Sequence, residues 1–97
     1  MNEKHPNLET LRKELQELDL QILLLLMERF TLSQKMGAVK KQQSMDIFQE
    51  TEWQRKIGFL GSHLEGHPFS NQILKVFYLI HNESLDIQQK TKTGFPL

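Results

Sequence analysis

Two cations stand in register with the apolar stripe of a predicted helix, in the stretch MERFTLSQKMGAVK (27–40). Arg29 occupies a position where the spacing of the stripe predicts a core leucine. Lys40 follows 11 residues later, which is close to three helical turns and about 16 Å along the same face. Both side chains are long and could converge on one small molecule. The alternative is a structural role, because an arginine in such a stripe is more often salt-bridged or snorkelling and a lysine more often solvent-exposed.

A later predicted helix repeats this pattern. From Phe77 its apolar face continues to His81, Ser84 and Gln88, at spacings of four, three and four residues. Polar groups that face an interior are costly unless they are paired, and a cluster of them that includes a cation is typical of a site for an anionic ligand. Taken singly, His81 is more often a structural histidine, and Gln88 could form a hydrogen bond across a dimer interface.

The composition limits the classes of function. The 97 residues include no cysteine and carry a formal net charge of zero, so disulfides are excluded and no basic block predicts nucleic-acid binding. The four histidines show no metal-ligand spacing, and we expect no metal. The longest apolar run, ILLLLM (22–27), is far too short to span a bilayer. The N-terminus lacks the apolar segment of a secretory signal, which favours a soluble, cytoplasmic protein.

The first predicted helix is very long. It begins after Pro6, with Asn7 as its N-cap, and continues to about residue 40, roughly 50 Å at 1.5 Å per residue. That length exceeds the diameter of a compact domain of this size, so the apolar stripe cannot be buried within one chain. The simplest partner is a second copy related by a two-fold axis. The stripe consists of Leu8, Leu11, Leu15, Leu18, Ile22 and Leu25.

Two shorter helices follow, and no segment shows the alternation of a strand. The second helix is predicted over about 47–64 and the third over about 68–90, with Gly66 between them as a helix stop. The three helices predict a single all-α domain over 1–90. Residues 91–97 are predicted to form a disordered tail.

Arg12 lies too far from Arg29 to reach the same ligand within one chain. It precedes Arg29 by 17 residues, about 25 Å of helix, and lies nearly a quarter-turn away around the axis. In an antiparallel dimer of the long helices, Arg12 of one chain can approach Arg29 of the other. The spacing therefore predicts a site that is shared between subunits.

Nearly the whole chain, over about 7–90, resembles the all-helical (type II) class of chorismate mutases. The similar stretches are LETLRKELQELDLQILLLLMERF (8–30), GAVK (37–40) and FYLIHNESLDIQQ (77–89). In that family the first helix reads much like L-R-x-x-I-D-x-I-D-x-x-I-x-x-L-L-x-x-R, followed by G-x-x-K. The spacing from Arg12 through Arg29 to Lys40 matches this pattern without a gap. These three cations, followed by Ser84 and Gln88 on the third helix, are the most specific part of the resemblance.

The resemblance implies an architecture and a reaction. The architecture is an intertwined homodimer whose long first helices run antiparallel and form two active sites. The reaction is the rearrangement of chorismate to prephenate on the route to Phe and Tyr. Because this is a unimolecular pericyclic shift, it requires no cofactor, metal, nucleophile or proton transfer.

The same resemblance assigns roles to individual residues. Arg29, together with Arg12 of the partner subunit, would clamp the two carboxylates of chorismate, a task that suits planar guanidinium groups. Lys40 and Gln88 would donate hydrogen bonds to the ether oxygen, where negative charge develops in the transition state. Ser84 would help to hold a substrate carboxylate. Arg29, Lys40 and Gln88 are thus the predicted catalytic residues.

The start of the second helix departs from the family pattern. Many members carry there an acidic residue followed by an Arg-Glu pair, and these positions are Gln49, Glu52 and Trp53 in this chain. The three positions are candidate substrate-binding residues: Gln49 can still bind a substrate hydroxyl, whereas Trp53 cannot accept a hydrogen bond as a glutamate would. Glu52 would repel a dianion unless its side chain turns to solvent, which we favour, or Arg55 one turn later takes the cationic role. Otherwise the activity is weak or altered.

Three alternatives to a mutase remain open from the sequence. An isochorismate pyruvate-lyase would use much the same cations on the same fold. A non-catalytic helical dimerisation or regulatory domain would keep the fold without turnover, which the changes at Glu52 and Trp53 would allow. A generic helical adaptor would tolerate replacement of Arg29, Lys40 and Gln88.

Overall fold

The structure is a computed structural model that describes residues 7–94, and this part of the chain consists of three α-helices without a strand. The helices are α1 (Leu8–Gln42), α2 (Glu50–Leu64) and α3 (Ser70–Thr93). This confirms the predicted all-α class and the long first helix, which has 35 residues. Within the described residues, none of the helices is long and apolar enough to cross a membrane.

Both ends of α1 are fixed by local hydrogen bonds. Oδ1 of Asn7 accepts a hydrogen bond from the backbone N–H of Thr10 at 2.8 Å, so the predicted N-cap is confirmed. At the other end, the N–H of Met45 donates to the carbonyl of Lys40 and the N–H of Ser44 donates to that of Lys41. Ser44 has a φ of 54°, and the three features together form a Schellman turn. The chain therefore leaves the helical path at Ser44, directly after the end of α1.

The two shorter helices differ from their predicted bounds by up to three residues, and α2 ends at residue 64 as predicted. α2 begins at Glu50, with Gln49 in an extended conformation before it, and it ends before Gly66, whose positive φ confirms the predicted stop. α3 continues through Thr93, past its predicted end at residue 90, and Gly94 caps it in the left-handed conformation. The predicted tail at 91–97 therefore does not begin at 91, while 95–97 lie outside the described residues.

The chain divides into two compact units, Met1–Thr31 and Leu32–Leu97. The described part of the first unit is helical, and its long apolar side chains are exposed in the single chain. In the second unit α2 packs against α3. An aromatic contact joins them: the rings of Trp53 and Tyr78 lie edge-on with centroids 5.3 Å apart.

Hydrophobic side chains do not form a buried core in residues 7–94 of the single chain. The buried side chains are instead polar: Ser33, Ser84 and Gln88 are 2%, 5% and 4% exposed. Buried polar groups are stable only when they are hydrogen-bonded, and all three are. The best-enclosed part of the molecule is therefore a polar contact between the C-terminal part of α1 and α3.

Candidate active site

Gly37 allows α1 and α3 to approach each other closely in the second unit. A Cβ atom at Gly37 would lie 2.8 Å from the carbonyl oxygen of Gln88 and 2.9 Å from its Cα. Distances this short to backbone atoms leave no room for a side chain, which explains glycine in the middle of a long helix despite its low helix propensity. The close approach brings Gln88 within reach of Lys40, one turn further along α1.

Four polar side chains join α1 and α3 in a continuous line of hydrogen bonds. Lys40 Nζ donates to Oε1 of Gln88 at 2.7 Å, and Nε2 of Gln88 donates to Oγ of Ser84 at 3.3 Å. The hydroxyl of Ser84 is in turn hydrogen-bonded to that of Ser33. The structure thus brings together three of the predicted site residues, and the contacts fix the orientation of the Gln88 amide.

Lys40 also reaches the segment that connects α1 to α2. Its Nζ donates to the carbonyl oxygen of Ile47 at 2.7 Å, so two of its three N–H groups are used within the chain. Burial lowers the pKa of Lys40 from its ordinary value; the negative charge of Glu52 opposes this shift and the positive charge of Lys92 adds to it. A partly desolvated ammonium with one donor left over is suited to bind an anion or a developing negative charge.

A pocket of about 420 Å³ opens beside Lys40. Its lining combines three cationic groups, one carboxylate, one amide and two apolar side chains. The lining residues are Met36, Lys40, Gln49, Glu52, Arg55, Lys56 and Phe59. The volume suits a small molecule, and the excess of cations suits one that carries negative charge.

Glu52 lines this pocket rather than turning wholly away from it. Its carboxylate forms an ion pair with Nη1 of Arg55, at 3.1 Å to Oε1 and 3.3 Å to Oε2. The two side chains are 57% and 71% exposed, so this pair contributes little to folding stability. Its consequence is electrostatic, since Arg55 compensates the negative charge of Glu52 at the pocket wall. The predicted cationic role of Arg55 is therefore compatible with its position.

Trp53 packs on α3 and is not among the described lining of the pocket. Its ring stacks on that of His81, with centroids 3.8 Å apart and an interplanar angle of 25°. The ring of Phe48 lies edge-on to that of His81, with centroids 6.2 Å apart. The two residues that looked out of place in the sequence, Trp53 and His81, are therefore partners of each other.

Arg12 and Arg29 belong to the first unit, so their approach to the pocket stays a prediction from helical spacing. Arg12 is exposed. Arg29 is half-buried, and burial lowers the pKa of its guanidinium. Partial desolvation strengthens the interaction of a guanidinium with a carboxylate.

Three contributors to the site were not singled out from the sequence. Ser33 lies four residues after Arg29, and this helical spacing was the signal in the sequence that could have identified it. The reason for Gly37 could be seen only once α3 was placed against it. The side chain of Lys56 lines the pocket, but its position in the sequence is that of an ordinary surface lysine.

Comparison with known proteins gives a match to a family of enzymes. Residues 11–89 match the family model described as chorismate mutase type II. Individual curated proteins and solved structures give no match. The matched range covers most of the chain, from the residue before Arg12 to the residue after Gln88, and includes every predicted site residue.

Proposed function

This chain belongs to the type II chorismate mutase family, and from that premise we propose that the pocket beside Lys40 is where it rearranges chorismate to prephenate. The observation that carries this proposal is the 2.7 Å hydrogen bond between Lys40 and Gln88. It joins the two predicted donors for the ether oxygen, of which Lys40 lines a pocket that is rich in cations.

The reaction makes limited demands on a protein. Within one molecule, the ether C–O bond breaks while a C–C bond forms, and no atom or proton is gained or lost. The substrate must be held in a compact conformation that brings the two carbons together. Negative charge that grows on the ether oxygen must be stabilised more strongly in the transition state than in the ground state.

Lys40 and Gln88 meet the second demand. Lys40 retains one N–H after its contacts with Gln88 and Ile47, and Gln88 retains the second N–H of its amide. Because both groups are already held by the chain, they require little reorganisation when the substrate binds. Donors that are held in place in this way typically contribute about 10²–10³ in rate.

The cations meet the first demand by clamping the two carboxylates. We assign this role to Arg29 and to Arg12 of the partner subunit. Arg55 on α2, which lines the pocket, contributes a further guanidinium. Ser84 supports the site through Gln88 and can contribute to a carboxylate contact. Arg55 would have to share its charge between Glu52 and the substrate, which weakens its contribution.

Gln49 contributes the one amide side chain in the described lining of the pocket. It lies immediately before α2 in an extended conformation, and its amide can bind the ring hydroxyl of chorismate. Trp53, which stacks on His81, supports the site by joining α2 to α3. We therefore assign substrate contact to Gln49 and packing to Trp53.

We further propose that the enzyme is a homodimer with intertwined, antiparallel first helices. The support is the exposed apolar stripe of α1 in the single chain: Leu15, Leu18 and Leu25 are 59%, 54% and 63% exposed. Burial of one such side chain is worth about 1.5–3 kcal/mol, so a partner that covers the stripe is strongly favoured. The same association would supply Arg12 to the opposite site.

The product suggests a place for the enzyme in the cell. Prephenate is the precursor of Phe and Tyr, and we place the reaction on that route. A cytoplasmic location stays a prediction.

The test is turnover of chorismate by the purified protein, followed by its ultraviolet absorbance and by identification of the product. We expect prephenate, and a loss of about 10²–10³ in kcat/KM for Lys40→Ala and a similar loss for Arg29→Ala. Lys41→Ala is the matched control, because Lys41 is exposed one residue further along α1. Release of pyruvate from isochorismate in a parallel assay would identify a lyase instead, and no turnover of either substrate by a folded dimer would identify a non-catalytic module.

A further inference from the structure

The last turn of α3 contacts the connection between α1 and α2. Nζ of Lys92 donates a hydrogen bond to the carbonyl oxygen of Met45 at 2.8 Å. Lys92 is half-buried and lies three residues beyond the end of the family match at residue 89. This contact is therefore a feature of this chain that the matched part of the family pattern does not include.

The connection that Lys92 contacts is a constrained turn. Ser44 adopts a φ of 54°, which is disfavoured for a residue with a side chain. Met45, the next residue, is held on both sides: its N–H donates to the carbonyl of Lys40, and its carbonyl accepts from Lys92. A turn that is disfavoured locally persists when surrounding contacts determine it, and Lys92 supplies one of these contacts.

The same connection forms part of the site. Lys40 donates to the carbonyl of Ile47, two residues after Met45, and the segment then reaches Gln49 at the pocket. Lys40 and Lys92 thus hold the segment at two successive points from two different helices. Release of Met45 would loosen the segment that fixes Lys40 and Gln49.

Lys92 also changes the electrostatic environment of Lys40. Charged groups face Lys40 from both neighbouring helices: Glu52 from α2 raises its pKa, and Lys92 from α3 lowers it. Arg55 and Lys56 line the same pocket. A second ammonium near Lys40 also increases the attraction of the site for a dianion.

We propose that Lys92 is a positioning residue of the mutase site, which holds the α1–α2 connection from the last turn of α3 and so fixes Lys40 and Gln49 for the substrate. This proposal rests on the proposed function for its catalytic consequence. Its structural consequence, a fixed connection, can be measured without turnover.

The test compares Lys92→Met, which removes the donor and the charge, with Lys92→Arg, which keeps both. We expect Lys92→Met to lower kcat/KM about tenfold, mainly through kcat, as for the loss of one charge-assisted hydrogen bond. We expect Lys92→Arg to stay within about twofold of the wild type. The control is Lys90→Met, because Lys90 lies on the same turn but pairs with Asp86 at 3.0 Å; we expect it to leave kcat/KM unchanged.

The pH profile tests the effect of the Lys92 charge on Lys40, which a general loss of stability would not produce. Since the charge of Lys92 lowers the pKa of Lys40, Lys92→Met should move the alkaline limb of kcat/KM to higher pH. Lys92→Arg and Lys90→Met should leave the limb in place. An unchanged limb and unchanged kcat/KM in Lys92→Met would overturn the proposal.

Hydrogen exchange gives a readout that does not depend on the reaction. We expect the amide of Met45 to exchange about tenfold faster in Lys92→Met than in the wild type or in Lys90→Met. If the wild type makes no prephenate but this difference is found, the proposed function fails and the fixed connection stands. If Lys92→Met loses its helical circular dichroism, Lys92→Gln is judged by the same measurements. Equal exchange in all folded variants would overturn the proposal.

Discussion

In the first unit long apolar side chains are exposed, whereas the side chains that the second unit buries most completely are polar. In the first unit, which ends at Thr31, leucines such as Leu18 and Leu25 are more than half exposed. In the second unit the buried side chains are polar, with Ser84 and Gln88 at 5% and 4% exposure. An isolated globular protein shows the reverse distribution.

A small enzyme must both form a stable fold and hold the groups that catalyse its reaction, and the two units differ in which of these they serve. A chain of 97 residues can bury only a limited core, and here the apolar surface of the first unit is available for a second copy. The enclosed part of the second unit holds the polar groups to which we assign the reaction, each hydrogen-bonded to a neighbour. Association is thus expected to depend on the first unit, and the chemistry on the second together with the arginines.

The strongest test of this separation is a charge in the apolar stripe. Leu25→Glu should convert the proposed dimer to a monomer, because an unpaired carboxylate would be buried at the proposed interface. Activity should then fall by at least the 10²–10³ typical of losing one held donor, since Arg12 of the partner subunit is lost as well. Sedimentation and chorismate turnover measure the two effects.

Gln21→Glu is the matched control, because Gln21 lies on α1 outside the stripe and is exposed. It should leave both the oligomeric mass in sedimentation and the turnover of chorismate unchanged. A Leu25→Glu protein that stays dimeric, or a monomer with full activity, would contradict the assignment of association to this stripe.

The second test concerns the polar interior. Gln88→Leu keeps the size of the side chain roughly constant but removes both its contact with Lys40 and its donor for the substrate. We expect kcat/KM to fall about 10²–10³, while the dimer persists. Gln89→Leu changes the exposed neighbour and should have little effect. Comparable losses in both variants would show that the effect comes from α3 as a whole.

Much of this arrangement could be predicted from the sequence because it depends on local rules. The period of the stripe, the N-cap at Asn7 and the stop at Gly66 are properties of short segments, and all three appear in the structure. The association of Lys40 with Gln88 was implied by the resemblance to the type II chorismate mutases, and the interior register of Gln88 on its amphipathic helix is consistent with it.

The parts that could not be predicted depend on how helices approach one another. Trp53 and His81 each looked wrong in isolation, and only their stacking at 3.8 Å explains them as a pair. Arg55 could be proposed as a cation, but its ion pair with Glu52 depends on side-chain conformations that spacing does not specify. The end of α3 was placed too early, since polar residues after Lys90 gave no sign of the contact made by Lys92.

The third test asks whether the close approach at Gly37 is required. In Gly37→Ala the new methyl would lie 2.8 Å from the Gln88 carbonyl, and relief of this clash must move α1 and α3 apart. We expect a destabilisation of about 1–3 kcal/mol and roughly a tenfold loss in kcat/KM, about 1.4 kcal/mol of transition-state stabilisation, because Lys40 and Gln88 separate. Denaturant unfolding and turnover measure the two effects.

Gly61→Ala makes the same chemical change on α2, where a new methyl meets no atom within 4 Å. It should stabilise the protein by up to about 1 kcal/mol through helix propensity. If both alanine variants were equally stable, the polar contact in the second unit would not depend on the glycine.

The smallest expected effect concerns the charge of Glu52, the one carboxylate in the lining of the pocket. Glu52→Gln should lower KM for chorismate by about threefold, which is in the range of an exposed charge pair, because Arg55 becomes available to the dianion. Since Glu52 raises the pKa of Lys40, its removal should also move the alkaline limb of kcat/KM to lower pH. Glu50→Gln changes an exposed carboxylate on the same turn of α2 and should do neither. A shift of the limb without a change in KM would show that Arg55 stays outside the substrate's reach, and the arginines of the first unit would then carry the whole carboxylate clamp.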